Sequence, residues 1–551
     1  MTAASTARAQ RIDGVLPLSD PVHRFLERQQ TAGQLPGAFL SHQPLSAYEA
    51  QDYLDTLAAR RAALSNTDRR LLARYRYEEP GPNASRVNER IGWLYANGHD
   101  LLSARPGDFA LQATPLLYLS HGQVRRSAPD DGSDGRDPWA TTWQNTRGVR
   151  AAGHLDLGRG VRLFFDTQIE ETQRRDLNPS PRPRNTAPRQ GRTRFDDGVY
   201  DYTVATGGVG VRSEHFEVRF GRWRNEWGAA GGTGVLLPDY APPYDQLQIR
   251  TSVWRLQYTN LFTAFDDLTF PDNLNANELP RRYGAFHRLA VRLPGRVQLG
   301  LFESVIFSDR ESGNQQDGFD PAYLNPVIFY RAVQADRGSP GNLIVGADAS
   351  WRPAPGLKAY GEFLLDEFVV DEIFTDSWRN KWGGLIGLHM AGVLAPRFSV
   401  RLEYARMRPL LYGHREPATA YLHYDDLLGH PAGPNAYDLS LLANYQPSAN
   451  THLALSAALT RRGRGTDTLN VGADPRRSYQ TRFANDVPFL SGIRQSEILL
   501  EARAGYELFP QFVLEAVLRY ESTDDAERGW DRYLAPQLSL RWGLPFRSAR
   551  Y

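Results

Sequence analysis

The feature that most limits what this chain can become is a period of two that recurs from about Gly107 to the C-terminus, in runs too long for an ordinary sheet. Phe398, Val400, Leu402 and Tyr404 alternate with Ser399, Arg401, Glu403 and Ala405, and Val161, Leu163, Phe165, Thr167 and Ile169 alternate with Arg162, Phe164, Asp166, Gln168 and Glu170. The stretches Ile498 to Leu508 and Leu534 to Trp542 repeat the pattern. Successive side chains of a strand point to opposite faces, so each run has one apolar and one polar face. The runs are ~10–13 residues, against about 5–6 for a common strand, and that length suits a tilted strand crossing a bilayer. A soluble sandwich or propeller uses the same alternation with shorter strands, and a propeller also needs a fixed-period repeat that this sequence lacks.

The connections sharpen the reading. One set is tight: Gly158-Arg159-Gly160, Ser213-Glu214-His215, Pro294-Gly295, Pro353 to Gly356, Ala395-Pro396, Pro447 to Asn450 and Phe509-Pro510-Gln511. The other is long and polar: roughly 121–138, 173–198, 225–248, 271–282, 308–341, 370–381, 410–436, 463–495 and 523–531. Because the two sets alternate, all tight turns fall at one end of the sheet and all long loops at the other. That is the asymmetry of outer-membrane barrels, which have short periplasmic turns and long extracellular loops. One irregularity remains: Ile249 to Leu261 sits between two long connections, and a further strand at Phe262 to Phe270 restores parity. The predicted fold is an all-β membrane barrel of about 18 antiparallel strands, closed, spanning 106–551, with both barrel ends on the short-turn side.

Composition agrees by exclusion. Lys+Arg 64 against Asp+Glu 63 gives a net charge of +1 without blocks of one sign, which argues against nucleic acid as a partner. No stretch reaches the roughly 18 apolar residues of a membrane-spanning helix, so any crossing must be made by strands. With no cysteine there are no disulfides or thiolate metal sites. At the N-terminus, Ala7-Arg8-Ala9 before Gln10 fits the cleavage end of a secretory signal, and residues 1–9 read as a signal-peptide remnant. Residues 10–105 read as a periplasmic helical segment and linker. Ser19-Asp20 precedes a helical pattern from Pro21, Ser46 opens Ala47 to Arg61, and Ser65 with Asp68 opens Thr67 to Tyr77, before a boundary near 80–105.

If the apolar parity faces lipid, the inward parity places Arg401 beside Glu403, Glu501 beside Arg503 and Glu507, and Glu515 near Arg519. Mixed signs that can pair predict a narrowed or occluded lumen rather than a general pore.

Four strings carry a family likeness: Asp320-Pro321-Ala322-Tyr323-Leu324-Asn325-Pro326-Val327-Ile328-Phe329-Tyr330-Arg331, Leu402 to Pro409, Tyr421-Leu422-His423-Tyr424, and Leu428-Gly429-His430-Pro431-Ala432-Gly433-Pro434-Asn435. Together they resemble the capsule assembly Wzi family of outer-membrane proteins, in particular its Bacteroidetes-type members, some relatives of which are associated with gliding. The resemblance implies an eighteen-stranded barrel with a periplasmic helical segment that binds or organises capsular or exopolysaccharide at the cell surface and does not make it.

Sugar rings are held by aromatic faces, with Arg, Asn and Asp on the hydroxyls and on any carboxylates. The long loops offer Asn325, Tyr330 and Arg331 in one connection, and Tyr412, His414, His423, His430 and Asn435 in another, with Arg406 and Arg408 where a strand rises into it. These ten are the candidate polysaccharide ligands. Each also has a structural reading, as an Asn-Pro turn, a Tyr-Arg stack or a histidine bonded to backbone. No metal or cofactor is expected, since His414, His423, Asp425 and His430 lack a ligand spacing. No catalytic residue is expected either: Ser440 has no nucleophile elbow, and the adjacent carboxylates Asp366-Glu367 and Asp371-Glu372 point to opposite faces of a strand. The expected partners are surface polysaccharide, outer-membrane lipid and lipopolysaccharide, with the protein a monomer. A selective channel for a small anionic or sugar solute is the alternative, and a barrel enzyme the third reading.

Overall fold

The computed structural model describes residues 12–78, 99–128, 139–176, 186–268 and 280–544, apart from 309, 312–313, 316–319, 328, 337–340, 368 and 373–374. The suggested signal remnant, and most of the boundary near 80–105, lie outside the described residues.

Eighteen long strands form one closed antiparallel barrel: β1 (Phe109–Ser127), β2 (Trp139–Asp156), β3 (Arg162–Arg175), β4 (Val199–Arg212), β5 (Phe216–Trp223), β6 (Tyr244–Val253), β7 (Leu256–Asp266), β8 (Arg281–Leu293), β9 (Val297–Ser308), β10 (Asn342–Ala354), β11 (Leu357–Glu367), β12 (Lys381–Ala391), β13 (Phe398–Met407), β14 (Ala436–Tyr445), β15 (Thr451–Arg464), β16 (Ile493–Phe509), β17 (Phe512–Asp525) and β18 (Gly529–Trp542). Each strand pairs with its sequence neighbours, and β18 closes onto β1, with Leu540 opposite Leu119. Closure leaves no free sheet edge, since every barrel strand has a paired neighbour on both sides. No described helix is long and apolar enough to cross a membrane.

The alternation is realised as an apolar exterior and a polar interior. Leu402 is 45% exposed on the outside of β13 while Glu403 is buried inside, and Leu500 is exposed beside buried Glu501 on β16. Leu538, Ile386, Phe220 and Leu301 stand on the same outer belt, each more than half exposed. Side chains that would be a solubility fault in water are the lipid contact of a barrel.

Several boundaries differ from those expected; β1, for one, runs on to Ser127, inside the expected 121–138 connection. The turn between β6 and β7 is Trp254-Arg255, with Trp254 at φ 55°, so β6 ends at Val253 and β7 begins at Leu256, ahead of the expected break between Leu261 and Phe262. The 225–248 connection ends at Tyr244, where β6 begins. The polar run 523–531 is largely strand: β17 and β18 pair out to Asp525 and Gly529 and leave only a tight turn. Charged residues there are no obstacle to strand formation, because these two strands overshoot the apolar belt.

Helices α1 (Pro21–Thr31), α2 (Ala47–Ala59) and α3 (Asn66–Tyr75) form where capping residues predict them. Asp20 accepts from the N–H of Val22, Ser46 and Glu49 make a reciprocal capping box, and Ser65 caps α3 at Asp68. Their apolar faces meet in one cluster around Phe25, Leu26, Leu54, Leu57 and Leu72. The helices sit on the short-turn end of the barrel. Arg397, in the β12–β13 turn, donates to Thr67 Oγ1 at 2.6 Å, Arg74 pairs with Glu507 at 2.5 Å, and the N–H of Gly356 donates to Thr31 O at 2.8 Å. The preceding segment enters the lumen, where Asp13 is paired with Arg212 at 2.7 Å and Val15 N–H donates to Asp166 at 3.0 Å. His42–Gln43 pairs antiparallel with Glu226–Trp227 in the connection after β5.

Candidate ligand-binding lumen

The lumen is divided. On the side of β6–β13 the connections 224–243, through Trp227, Val235 and Leu236, and 408–435, through Tyr412 and Tyr421, fold inward and pack against inward-facing wall residues such as Phe265 and Phe286. Polar anchors fix this filling. Glu362 on β11 accepts the N–H groups of Ala230 and Val235, both at 2.8 Å, while the hydroxyls of Tyr412 and Tyr421 donate to the carbonyls of Val235 and Leu236 at 2.9 and 2.8 Å. Gly228, at φ 130°, permits the approach, since a Cβ there would run into the Glu362 carboxylate. Against this filling lie the buried ion pairs Arg288–Asp348 at 2.7 Å, Lys381–Asp366 at 3.3 Å and Arg282–Asp267. Burying such charges is costly, and removing one partner of a pair would leave the other buried and uncompensated.

The other half holds a cavity of ≈ 1020 Å³, walled by β1–β4 and β14–β18. It runs from α1 and α3 at the short-turn end to Arg174 and Arg189 at the long-loop end. Its lining contains thirteen arginines and thirteen carboxylates, with no lysine. Between the charges stand hydroxyls and amides such as Thr142, Gln144, Thr146, Ser440, Asn444 and Gln537. Near the long-loop mouth, arginines and tyrosines come together. Arg174 lies over the rings of Tyr200 and Tyr202, each 5.5 Å away, and Arg189 lies 5.8 Å from the Tyr240 ring and 3.7 Å from Asp239.

At the base of the cavity, α1, the inward 224–243 connection and the wall meet. Glu27 of α1 pairs with Arg401 at 2.5 Å and Lys358 at 3.4 Å, while Lys358 donates to Ala229 O and Arg401 to Gly231 O, both at 3.2 Å. Burial pushes the Glu27 carboxyl up, but the Arg401 and Lys358 charges outweigh it and hold the group well below the carboxylate range. Glu226, close by, goes the other way: burial first, then the charge of Asp239, push it up to about 8.

None of the ten sequence-predicted residues lines this cavity. Asn325, Tyr330 and Arg331 lie on the outer face of the barrel, with Tyr330 buried and Arg331 exposed. Arg406 also faces outward, with its guanidinium 4.1 Å from the Phe489 ring and 5.6 Å from that of Trp382. The other six fall in or beside the 408–435 connection, with their polar atoms engaged in holding it. Arg408 pairs with Asp376 at 3.0 Å, and His414 meets Thr419 Oγ1 at 2.7 Å. His423 Nδ1 accepts the N–H of Asp266 at 3.1 Å, and His430 Nδ1 accepts that of Ala432 at 3.1 Å. The N–H of His430 in turn donates to Tyr412 Oη at 3.1 Å. Asn435 Nδ2 donates to Gly463 O and Ser491 O at 2.9 Å, and its Oδ1 accepts from Leu490 N–H at 2.7 Å. Burial pushes the imidazoles of His414 and His423 down to about 3.

The residues that do line the cavity carry a quieter signal, the inward parity of β2 and β3, with Thr142, Gln144 and Thr146 on the first and Asp166, Gln168 and Glu170 on the second. Among the described residues no three side chains of metal-ligating type gather in one place.

With this geometry in place, sequence comparison decides the family: residues 146–524 match the model of the capsule assembly protein Wzi. The chain belongs to the Wzi family. Its fold is that of a solved relative, the outer-membrane protein Wzi involved in group 1 capsule assembly in Escherichia coli, described as a carbohydrate-binding β-barrel. The two are 12% identical, the match covers 98% of this chain and 100% of the other, and the TM-score is 0.53. Pseudomonas aeruginosa OpdK with vanillate matches at 10% identity over 78% of this chain and 98% of its own, with a TM-score of 0.44. No curated protein matches the chain significantly in sequence. This Wzi-family chain is therefore an outer-membrane β-barrel.

Proposed function

We propose that this Wzi-family barrel binds or organises capsular or exopolysaccharide at the cell surface without cutting or forming bonds, with the helices α1–α3 in the periplasm and the long connections outside. The observation that carries the reading is the half-filled lumen. A cavity of ≈ 1020 Å³, at the upper end of the ~300–1,000 Å³ that small-molecule sites occupy, is lined by balanced charge, hydroxyls and amides and bounded by α1 and α3 at its short-turn end. Such a surface meets sugar hydroxyls with donors and acceptors of both kinds, and Arg174, Arg189, Tyr202 and Tyr240 stand where a polymer end would enter from outside. The E. coli relative is described as a carbohydrate-binding barrel, and gliding, expected of some Bacteroidetes-type members, is a further process that such binding would serve. Lipopolysaccharide and lipid surround the belt, and a single copy closes its own barrel, so a monomer suffices.

A selective channel accounts less well for a lumen whose short-turn end carries three helices tied down by Arg397, Glu507 and Lys358. The test is a strain lacking the protein. Surface-attached polymer should fall while total polymer stays constant, and a fall in total polymer would contradict a binding role.

A further inference from the structure

The outward faces of β8 and β9 carry a polar pair in the apolar belt. His287 and Glu303 are cross-strand partners halfway along their strands, on the parity that also holds Leu289, Leu299 and Leu301. The inward parity is unambiguous, since Phe286, Phe302 and Ile306 belong to the lumenal cluster. A carboxylate and an imidazole facing hydrocarbon would be costly. They are covered instead by part of the β9–β10 connection. Glu303 accepts the N–H of Tyr330 at 3.0 Å and of Arg331 at 3.3 Å, the Tyr330 hydroxyl meets His287 Nε2 at 2.6 Å, and the two rings lie 4.1 Å apart. Tyr258 on β7 donates to Pro326 O at 2.6 Å. Tyr323 and Tyr330 pack with Phe262, Ala285, Val305 and Phe307, all on the outward face, and Tyr323 stacks on Phe307 at 4.5 Å.

We infer that residues 320–327 and 329–336 belong to a re-entrant hairpin inserted in the membrane, whose partner is the lipid of the leaflet on the long-loop side. The hairpin leaves the long-loop end, reaches about half the length of the strands and returns through the short helix Tyr330–Asp336. Its outer surface shows Leu324, Val327 at 79% exposure and Phe329 at 76%. These continue the belt of Leu289, Leu299 and Leu301 on the same strands, so acyl chains that contact the belt also contact the hairpin. Arg331, in the first turn of the rising helix, is exposed, and long cationic side chains at such a depth reach for the headgroups. Glu303 and His287 act as the latch: they satisfy backbone and hydroxyl groups that lipid cannot, which is the condition for irregular backbone at this depth.

The chain has no cysteine, so a single introduced thiol reports one place. Phe329→Cys, and separately Val327→Cys, labelled with bimane in phosphatidylcholine vesicles, should emit to the blue and be quenched by mid-chain doxyl lipid but not by iodide. Leu538→Cys serves as the lipid control and Phe483→Cys as the aqueous one. Adding Glu303→Ala should open the latch and make the label at 329 accessible to iodide, and protection unchanged by that substitution would refute the latch. Iodide quenching of both hairpin labels in the otherwise unaltered, heat-modifiable protein overturns the insertion. So do disulfide-linked dimers through Phe329→Cys, which would mean that a second copy covers this face.

Discussion

Glu27 of α1 and Arg401 of β13 lie 2.5 Å apart at the floor of the cavity, and the same guanidinium donates to Gly231 O in the inward connection. One ion pair thus joins the N-terminal helices, the barrel wall and the lumenal filling. Both partners are largely buried, and removing one strands the other's charge, which costs about 3–5 kcal/mol in comparable pairs. Glu27→Ala should therefore release α1 and make residues 12–78 sensitive to trypsin in detergent-solubilised protein, while the barrel stays heat-modifiable. Arg401→Ala should do the same.

Glu362 makes a separate prediction. Its carboxylate is the acceptor for Ala230 and Val235, so Glu362→Ala, or Gly228→Val, should free the 224–243 connection from the wall. Planar-bilayer recordings should then show open-channel current in the variants and little in the parent.

Acid should loosen the 408–435 connection. His414 and His423 are held neutral because burial depresses each from the usual 6.5 to about 3. A depressed histidine leaves its stabilising effect intact above pH 6.5, and the effect is lost as pH falls from there toward 3, because the unfolded form takes up the proton first. Hydrogen exchange in 408–435 should rise over that window, and His423→Gln should blunt the rise if the amide keeps the hydrogen bond to Asp266.

The belt should reject charge. Leu538→Arg or Ile386→Arg should cost about 2–4 kcal/mol if either site lies near the bilayer midplane. Folding yield into vesicles should fall accordingly, whereas Phe483→Arg in a long loop should fold like the parent.

Much of the barrel could be read from the chain because lipid outside and polar lumen inside impose a period of two on every strand. Leu402 beside Glu403 and Leu500 beside Glu501 display it without ambiguity. The β6–β7 turn escaped because Val253-Trp254-Arg255-Leu256 has neither Gly nor Pro, and Trp254 takes the positive φ that such residues usually supply. The cavity was less legible still. A loop rich in Tyr, His and Asn looks like a sugar site, yet Tyr412, His423 and Asn435 spend their polar atoms fastening that loop into the lumen. Whether a long connection turns inward, outward or down the membrane face depends on single anchors such as Glu362 and Glu303, each of which reads in sequence as one more strand carboxylate. The Gly228-Ala229-Ala230-Gly231-Gly232-Thr233-Gly234 run was a local sign of close approach, since a Cβ at Gly228, Gly231 or Gly234 would run into Glu362 or Arg401.

The account rests on a polymer being held in the half-open lumen, and calorimetric titration of the detergent-solubilised protein with surface polysaccharide from its own cells tests that most directly. The parent should bind, and Arg174→Ala or Arg189→Ala should weaken binding by about tenfold each, the equivalent of ~1.5 kcal/mol for a hydrogen bond to a charged group. Binding that is absent in the parent, or unchanged when both arginines are removed, would contradict it.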